Sequence, residues 1–227
     1  MQIDTAFILA AGLGTRMRPL TLQIPKPLIK VNGISFIDRI ITHLNNYGIK
    51  NIIVNASYKH DQITEHVKQY SNVQVSYEDT PLETGGGLSK ALPLIGNKPF
   101  FCITSDIIWD CNLQNPLSLL AGNYKPSSYG LLALKHTEHA FGYYGEGDFK
   151  LHKNQLQFAS PAPYVFAGLQ ILNPKVFDLE YTKSLGKKFA LNKLYRQFTN
   201  KFNGIEFIGN WYHIGDVKAK ERYERLY

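Results

Sequence analysis

A chain of 227 residues is long for one domain and short for two, so a single compact α/β domain over 1–227 is expected. Hydrophobic residues make up 44% and charged residues 19%, which excludes a disordered or fibrous chain. The formal charge of +7 admits a nucleic-acid partner, but the basic residues are scattered and rarely interleaved with aromatics; no such partner is expected, and a positive surplus equally suits polyphosphates.

No apolar stretch approaches the roughly 18 residues of a membrane span, and the residues from Met1 to Asp4 lack a basic leader with a cleavage site. A cytoplasmic location with no membrane partner is therefore expected. Cys102 and Cys111 lack C-x-x-C spacing and are too few for a disulfide framework.

In chain order, Ala6 to Ala10 is an apolar run of strand length that ends in Ala-Gly-Leu-Gly, as a buried parallel strand feeding a turn should. Ile37, Ile40, Ile41 and Leu44 recur at helical spacing up to Gly48, which is placed to end the helix, and Asn51 to Asn55 follows as a strand. A second crossover runs from His60 to Tyr70 into a strand at Val73 to Tyr77. Leu88 to Leu94 reads as a helix entered from three glycines, and Phe100 to Thr104 as a strand that stops at Ser105-Asp106. Beyond residue 130, strands are expected at Gly130 to Lys135, Tyr164 to Leu172 and Gly204 to Ile208. Helical spacing occurs at Ala190 to Phe198, and Lys218 to Arg225 reads as a solvated helix. Strands alternating with helices imply a Rossmann-like, doubly wound, mostly parallel sheet whose ligands sit outside the carboxyl ends of the strands. The motifs fall there, at Gly12, Asn55 and Asp106.

Gly12 and Gly14 let main-chain N–H groups approach an anion where the chain leaves the first strand. Arg16 and Arg18 supply forked donors matched to phosphate oxygens, and Lys26, between two prolines, is a stiffly presented point charge. Together these groups describe a triphosphate cradle. The string is neither a P-loop nor a dinucleotide fingerprint.

Leu9 to Thr21, followed by Ile-Pro-Lys-Pro-Leu at Ile24 to Leu28, resembles the signature of nucleotidyl transferases that make NDP-sugars from an NTP and a sugar 1-phosphate. The resemblance implies a glycosyltransferase-A-like nucleotidyltransferase fold, with a nucleotide-binding half at about 1–110 and a sugar-phosphate-binding half at about 111–227. It assigns Ala10, Ala11, Gly12, Gly14, Thr15 and Asn55 to the nucleotide, and Arg16, Lys26 and Asp106 to catalysis. Glu78, Thr84, Gly85 and Gly86 match the segment that this family folds around the base, although Glu78 can equally be a solvent-facing strand residue. Leu-Glu-Thr-Gly-Gly-Gly and the short length look most like bacterial N-acetylmuramate-1-phosphate uridylyltransferases of cell-wall recycling. Thymidylyl- or guanylyltransferases acting on glucose or mannose 1-phosphate share the scaffold, and a sugar-nucleotide-binding regulator is the alternative of another class.

Two departures from the family pattern stand out. The sugar-phosphate lysine of an expected Glu-Lys-Pro is absent from Gln157-Phe158-Ala159-Ser160-Pro161, which leaves Gly142 and Gly168 as loose matches for sugar-phosphate binding, with Tyr143 and Tyr144 as possible sugar contacts. The late Trp-x-Asp-x-Gly has His213 in place of its metal-binding aspartate, with Asp216 three residues on. Asp106 alone can hold Mg²⁺, Asp216 can swing in, or His213 can favour Mn²⁺; otherwise turnover is lost. A monomer is expected, since no hexapeptide-repeat tail follows.

Overall fold

The computed structural model describes residues 2–227. The chain opens with β1 (Thr5–Leu9), crosses a loop of short 3₁₀ turns and forms a small hairpin of β2 (Lys30–Val31) and β3 (Ile34–Ser35). It continues with α1 (Phe36–Tyr47), β4 (Asn51–Ala56), α2 (His60–Val67), β5 (Val73–Tyr77), α3 (Glu83–Ile95), β6 (Phe100–Thr104), β7 (Ile107–Trp109) and α4 (Pro116–Asn123). The remainder comprises β8 (Gly130–His136), β9 (Phe149–His152), β10 (Gln155–Phe158), β11 (Tyr164–Leu172), α5 (Glu180–Ser184), α6 (Asn192–Gln197), β12 (Phe202–Glu206), β13 (Trp211–His213) and α7 (Val217–Leu226).

Nine strands form one sheet in the order β5-β4-β1-β6-β11-β8-β12-β10-β9. Their pairings set seven strands in one direction and β10 and β11 in the other, so the sheet is doubly wound and mostly parallel. Alternate residues of each central strand point to opposite faces: Ile52 and Val54 face α1 and α2, while Ile53 joins the layer of α3 and α6. Burial on both faces explains why β1 and β4 read as unbroken apolar runs.

Helix α1 buries Phe36, Ile37, Ile40, Ile41 and Leu44, each of which contributes about 1.5–3 kcal/mol on leaving water. Ser35 caps it by accepting from the Asp38 N–H, and Gly48 ends it at φ 95°. Asp38 also ties α2 to α1, since it contacts His66 Nε2 at 2.6 Å and accepts from the Tyr70 hydroxyl at 2.8 Å.

Several expected boundaries shift. Helix α3 begins at Glu83, so the three glycines lie inside the helix and do not precede it. The last sheet strand is displaced to Phe202–Glu206, and α2 ends at Val67. The glycine-bearing stretch after β8 contains the β9–β10 hairpin, and β7 pairs with β13 in a separate two-stranded ribbon. That ribbon brings the chain's late residues back to the end of β6.

Candidate active site

The carboxyl ends of β1, β4 and β6 open onto a cleft of about 390 Å³, lined among others by Ala10, Ala11, Gly12, Gly14, Thr15, Arg16, Lys26, Asn55, Glu78, Thr84 and Asp106. Gly14 adopts φ 61°, and a Cβ there would lie 2.9 Å from Thr21 Cγ2, so only glycine fits both the turn and the space. Gly12 differs: its Cβ would meet no protein atom within 4 Å. The room in front of Gly12 belongs to whatever enters the cleft.

Lys26 sits in a 3₁₀ turn between Pro25 and Pro27, and is buried although charged. Its Nζ donates to Asp106 Oδ2 at 2.9 Å and to the Gly215 carbonyl at 3.3 Å. Burial alone would raise the Asp106 carboxyl, but hydrogen bonding with His213 and the charge of Lys26 outweigh it and hold the group well below the usual carboxylate range. Arg16 reaches the same spot, because a Cβ on Gly215 would lie 3.3 Å from Arg16 Nη1 and 2.7 Å from His213 Cε1. Glycine at position 215, which the motif reading passed over, lets the arginine and the ribbon approach. Its signal was present in Trp211-Tyr212-His213-Ile214-Gly215.

His213 faces Asp106 across the ribbon, with Nε2 3.5 Å from Oδ2. Its Nδ1 lies 3.2 Å from the Gly142 carbonyl, which can only accept, so Nδ1 carries a proton. In the neutral ring Nε2 then presents a lone pair to the carboxylate, and the two atoms require a cation between them, either a proton or a metal ion. Adjacent ligands of a six-coordinate divalent ion bonded at about 2.1 Å stand about 3 Å apart, so the pair fits such an ion with a small adjustment. No cluster of three His, Cys, Asp or Glu occurs among the described residues, so any ion here would draw most of its ligands from substrate and water.

Asp216 is not part of this cluster. Its Oδ1 accepts from the Ala219 N–H at 2.8 Å as the N-cap of α7, a bond that swinging toward Asp106 would break. Gly142 and Gly168 are likewise occupied by protein. A Cβ at Gly142 would strike the His213 carbonyl at 2.0 Å, and one at Gly168 would strike Thr104 Oγ1 at 2.4 Å. Gly142 therefore seats the His213 ribbon, and Gly168 lets β11 cross the end of β6; neither occurs among the residues lining this cleft.

At the opposite end, Asn55 Oδ1 accepts from the Ala10 N–H at 2.6 Å, while its Nδ2 donates to Glu78 Oε1 at 2.7 Å. Glu78 Oε2 accepts from the Leu82 N–H at 2.8 Å, and the residue is buried, which removes the solvent-facing alternative. These bonds fasten the start of the glycine loop to the segment entering α3. Gly85 and Gly86 do not reach the cleft: both N–H groups bond the Phe189 carbonyl, at 2.9 and 3.1 Å. Thr84 is at the lip, where its hydroxyl accepts from the Leu191 N–H at 2.8 Å. Glu83, which sequence reasoning missed, lines the cleft at φ 61°, a conformation that a residue with a Cβ rarely adopts.

Arg16, Lys26 and Asp106 converge beside a glycine loop at the strand ends, an arrangement of cations and backbone N–H groups suited to holding phosphates. The chain belongs to the nucleotidyl transferase family, whose pattern it matches over residues 5–223. It is 31% identical over 229 residues to an N-acetylmuramate alpha-1-phosphate uridylyltransferase of Caulobacter vibrioides, covering 95% of this chain and 93% of that protein. It is 32% identical to the same-named protein of Neisseria meningitidis serogroup B, covering 93% of each. A mannose-1-phosphate guanyltransferase of Saccharomyces cerevisiae is 32% identical over 76% of this chain and 50% of that protein. Among solved structures, a UDP-glucose pyrophosphorylase complexed with UDP-glucose superposes with TM-score 0.79 at 16% identity, covering 100% of this chain and 98% of that one. The chain is a sugar-1-phosphate nucleotidyltransferase by family.

Proposed function

We propose that the chain transfers a uridylyl group from UTP to N-acetylmuramate 1-phosphate, releasing pyrophosphate. The observation that carries the reading is the convergence of Lys26 on Asp106 and Gly215 beside the open face of Gly12. The choice of base and sugar is supported by the two uridylyltransferases, which match nearly end to end.

A phosphate oxygen of the sugar 1-phosphate attacks the α-phosphorus; that P–O bond forms as the bond to the β-phosphate oxygen breaks. Backbone N–H groups from Ala11 to Thr15 hold the triphosphate, with Ala10 at the root of the loop. Arg16 and Lys26 neutralise the pyrophosphate as it departs, since phosphoryl chemistry asks the protein chiefly for positioning and charge stabilisation. Asn55 and Glu78 hold the loop and base segments in register. Asp106 and His213 would hold a divalent cation, Mg²⁺ or the softer Mn²⁺, which when bound supplies further charge neutralisation at the phosphates. Residues up to about 110 serve the nucleotide and the rest the sugar phosphate. The protein works in the cytoplasm, a reading supported by two cysteines that are both free and by the absence of any helix long and apolar enough to cross a membrane among the described residues.

Pyrophosphate release measured over the four common NTPs and a panel of sugar 1-phosphates, with Mg²⁺ and then Mn²⁺, tests the assignment. Highest kcat/KM with UTP and N-acetylmuramate 1-phosphate is expected. A preference for GTP with mannose 1-phosphate would replace it, and nucleotide binding without turnover would leave a regulator.

A further inference from the structure

The loop between β1 and Lys26 leaves one main-chain donor open at the cleft. Thr15 lines the cleft, and its N–H donates to nothing among the described residues. The Gly14 carbonyl of the same peptide is engaged twice, accepting from the Met17 N–H at 2.9 Å and from the Thr21 hydroxyl at 2.9 Å. A trans peptide is planar with its C=O and N–H on opposite sides, so fixing the Gly14 carbonyl fixes where the Thr15 N–H points. The Met17 bond closes a single 3₁₀ turn, whose hydrogen-bond geometry is poor, and the Thr21 hydroxyl supplies the second restraint.

Thr21 is not among the residues lining the cleft; it is buried behind the loop. A Cβ on Gly14 would lie 2.9 Å from Thr21 Cγ2 and 3.0 Å from Lys26 Cβ, so the glycine is held between the threonine and the buried lysine.

Thr21 is held in turn. Its own carbonyl accepts from the Tyr58 hydroxyl at 3.0 Å, and the Gln23 carbonyl accepts from Gln62 Nε2 at 3.1 Å. Both donors come from the turn after β4 and the first turns of α2, close behind Asn55, which fastens Ala10 at the other end of the loop. Lys59 in that turn adopts φ 52°, a strained conformation for a residue with a Cβ, which persists only where the surroundings hold it.

Resting on the reading that the loop holds a triphosphate, we propose that Thr21 is a positioning residue. Its hydroxyl, steadied by Tyr58, aims the Thr15 N–H at a phosphate oxygen of the bound nucleotide and keeps Gly14 packed against Lys26. Neither Thr21 nor Tyr58 touches the substrate. A purely structural bond of the same kind exists elsewhere: the buried Thr182 hydroxyl donates to the Val176 carbonyl at 2.6 Å, and Thr182 does not line the cleft.

The experiment measures UTP binding by calorimetry, pyrophosphate release with UTP and N-acetylmuramate 1-phosphate, and urea unfolding, for the wild type, Thr21→Val, Thr21→Ser, Tyr58→Phe and Thr182→Val. Thr21→Val keeps the shape and loses the donor; it is expected to weaken UTP binding and lower kcat about tenfold each, less than the roughly 10²–10³-fold of removing a preorganised donor outright. KM for the sugar 1-phosphate should stay within about twofold, because that substrate does not use the Thr15 N–H. Thr21→Ser should recover most of both losses, and Tyr58→Phe should lie between Thr21→Val and the wild type. Thr182→Val should lose stability as Thr21→Val does, since each removes one buried bond, yet keep wild-type UTP binding and kcat.

Equal kinetic loss in Thr21→Val and Thr182→Val would assign the effect to general destabilisation and overturn the proposal. So would wild-type UTP binding in Thr21→Val, or a Thr21→Ser as impaired as Thr21→Val. Should Thr21→Val fail to fold, Tyr58→Phe decides: weakened UTP binding with an unchanged sugar-phosphate KM supports the proposal, and unchanged binding overturns it. Loss of UTP binding in Thr21→Val alone, in a protein that releases no pyrophosphate, would sink the transferase reading and leave the positioning role standing. Wild-type turnover and affinity in Thr21→Val would do the reverse, and a wild type that binds none of the four common NTPs would overturn both.

Discussion

The phosphate end of the first cleft and the start of helix α3, packed behind its other end, are both rich in glycine and use it for opposite purposes. At the phosphate end a Cβ on Gly12 would find nothing within 4 Å. At the α3 end a Cβ on Gly85 would lie 2.2 Å from Phe189 Cε2, on Gly86 2.3 Å from the Lys187 carbonyl, and on Gly87 2.5 Å from Glu78 Oε1. One end keeps space for a ligand; the other keeps it for the protein, so that α3 can seat Glu78, Asn55 and the strand of chain before α6. Substitutions should therefore separate into those that spare the fold and lose the reaction, and those that lose the fold first.

The largest effect is expected at the phosphate end. Asp106→Ala should lower kcat about 10³-fold in a pyrophosphate-release assay, and Lys26→Met about 10²–10³-fold, the range seen when a preorganised charge is removed from a reacting centre. A full-rate Asp106→Ala protein would break the comparison by showing that this end does no chemistry. At the other end, Gly85→Ala forces Phe189 aside and should cost about 1–3 kcal/mol in urea unfolding. Were that variant as stable as the wild type but poor at binding nucleotide, Gly85 would belong with Gly12.

Gly12→Ala sharpens the contrast at smaller scale. Its thermal unfolding should stay within about 0.5 kcal/mol of the wild type, as for an ordinary surface change, while KM for the nucleotide rises about tenfold. Unchanged KM would mean that the phosphates do not use the space in front of Gly12.

Much of this was legible in the chain itself. The strand Phe100 to Thr104 and the strand Tyr164 to Leu172 stand as their composition predicts, and the loop from Gly12 to Lys26 lines the cleft. These are local signals: an apolar run, a turn, a stiffened cation. What stayed hidden depends on long-range pairing. Nothing in the glycine run after Thr84 announces that Phe189 packs against it, and helical periodicity cannot be seen where residues without side chains fill the buried turn. Glu78 could be read from the sequence as a base contact or as a solvent-facing residue, because its partners, Asn55 and the Leu82 N–H, come from the end of another strand and from the far side of a turn. The β7–β13 ribbon is three residues wide and carries no period that a short window detects, yet it delivers His213.

Asp216 is where the contrast is finest, because it stands three residues from His213 and bonds only to backbone. As the N-cap of α7 it satisfies one of the N–H groups that every helix start leaves without a partner, and losing it costs about 1 kcal/mol. Asparagine caps about as well as aspartate, whereas a metal site would miss the charge in either substitution. Asp216→Ala should thus lower stability by about 1 kcal/mol and Asp216→Asn by much less, with Mn²⁺ affinity unchanged in both. His213→Ala should behave in the opposite way and weaken Mn²⁺ binding, measured by the electron paramagnetic resonance of the free ion. If Mn²⁺ binding fell with Asp216→Asn and held with His213→Ala, the ligand assignment would pass from the ribbon to the helix cap.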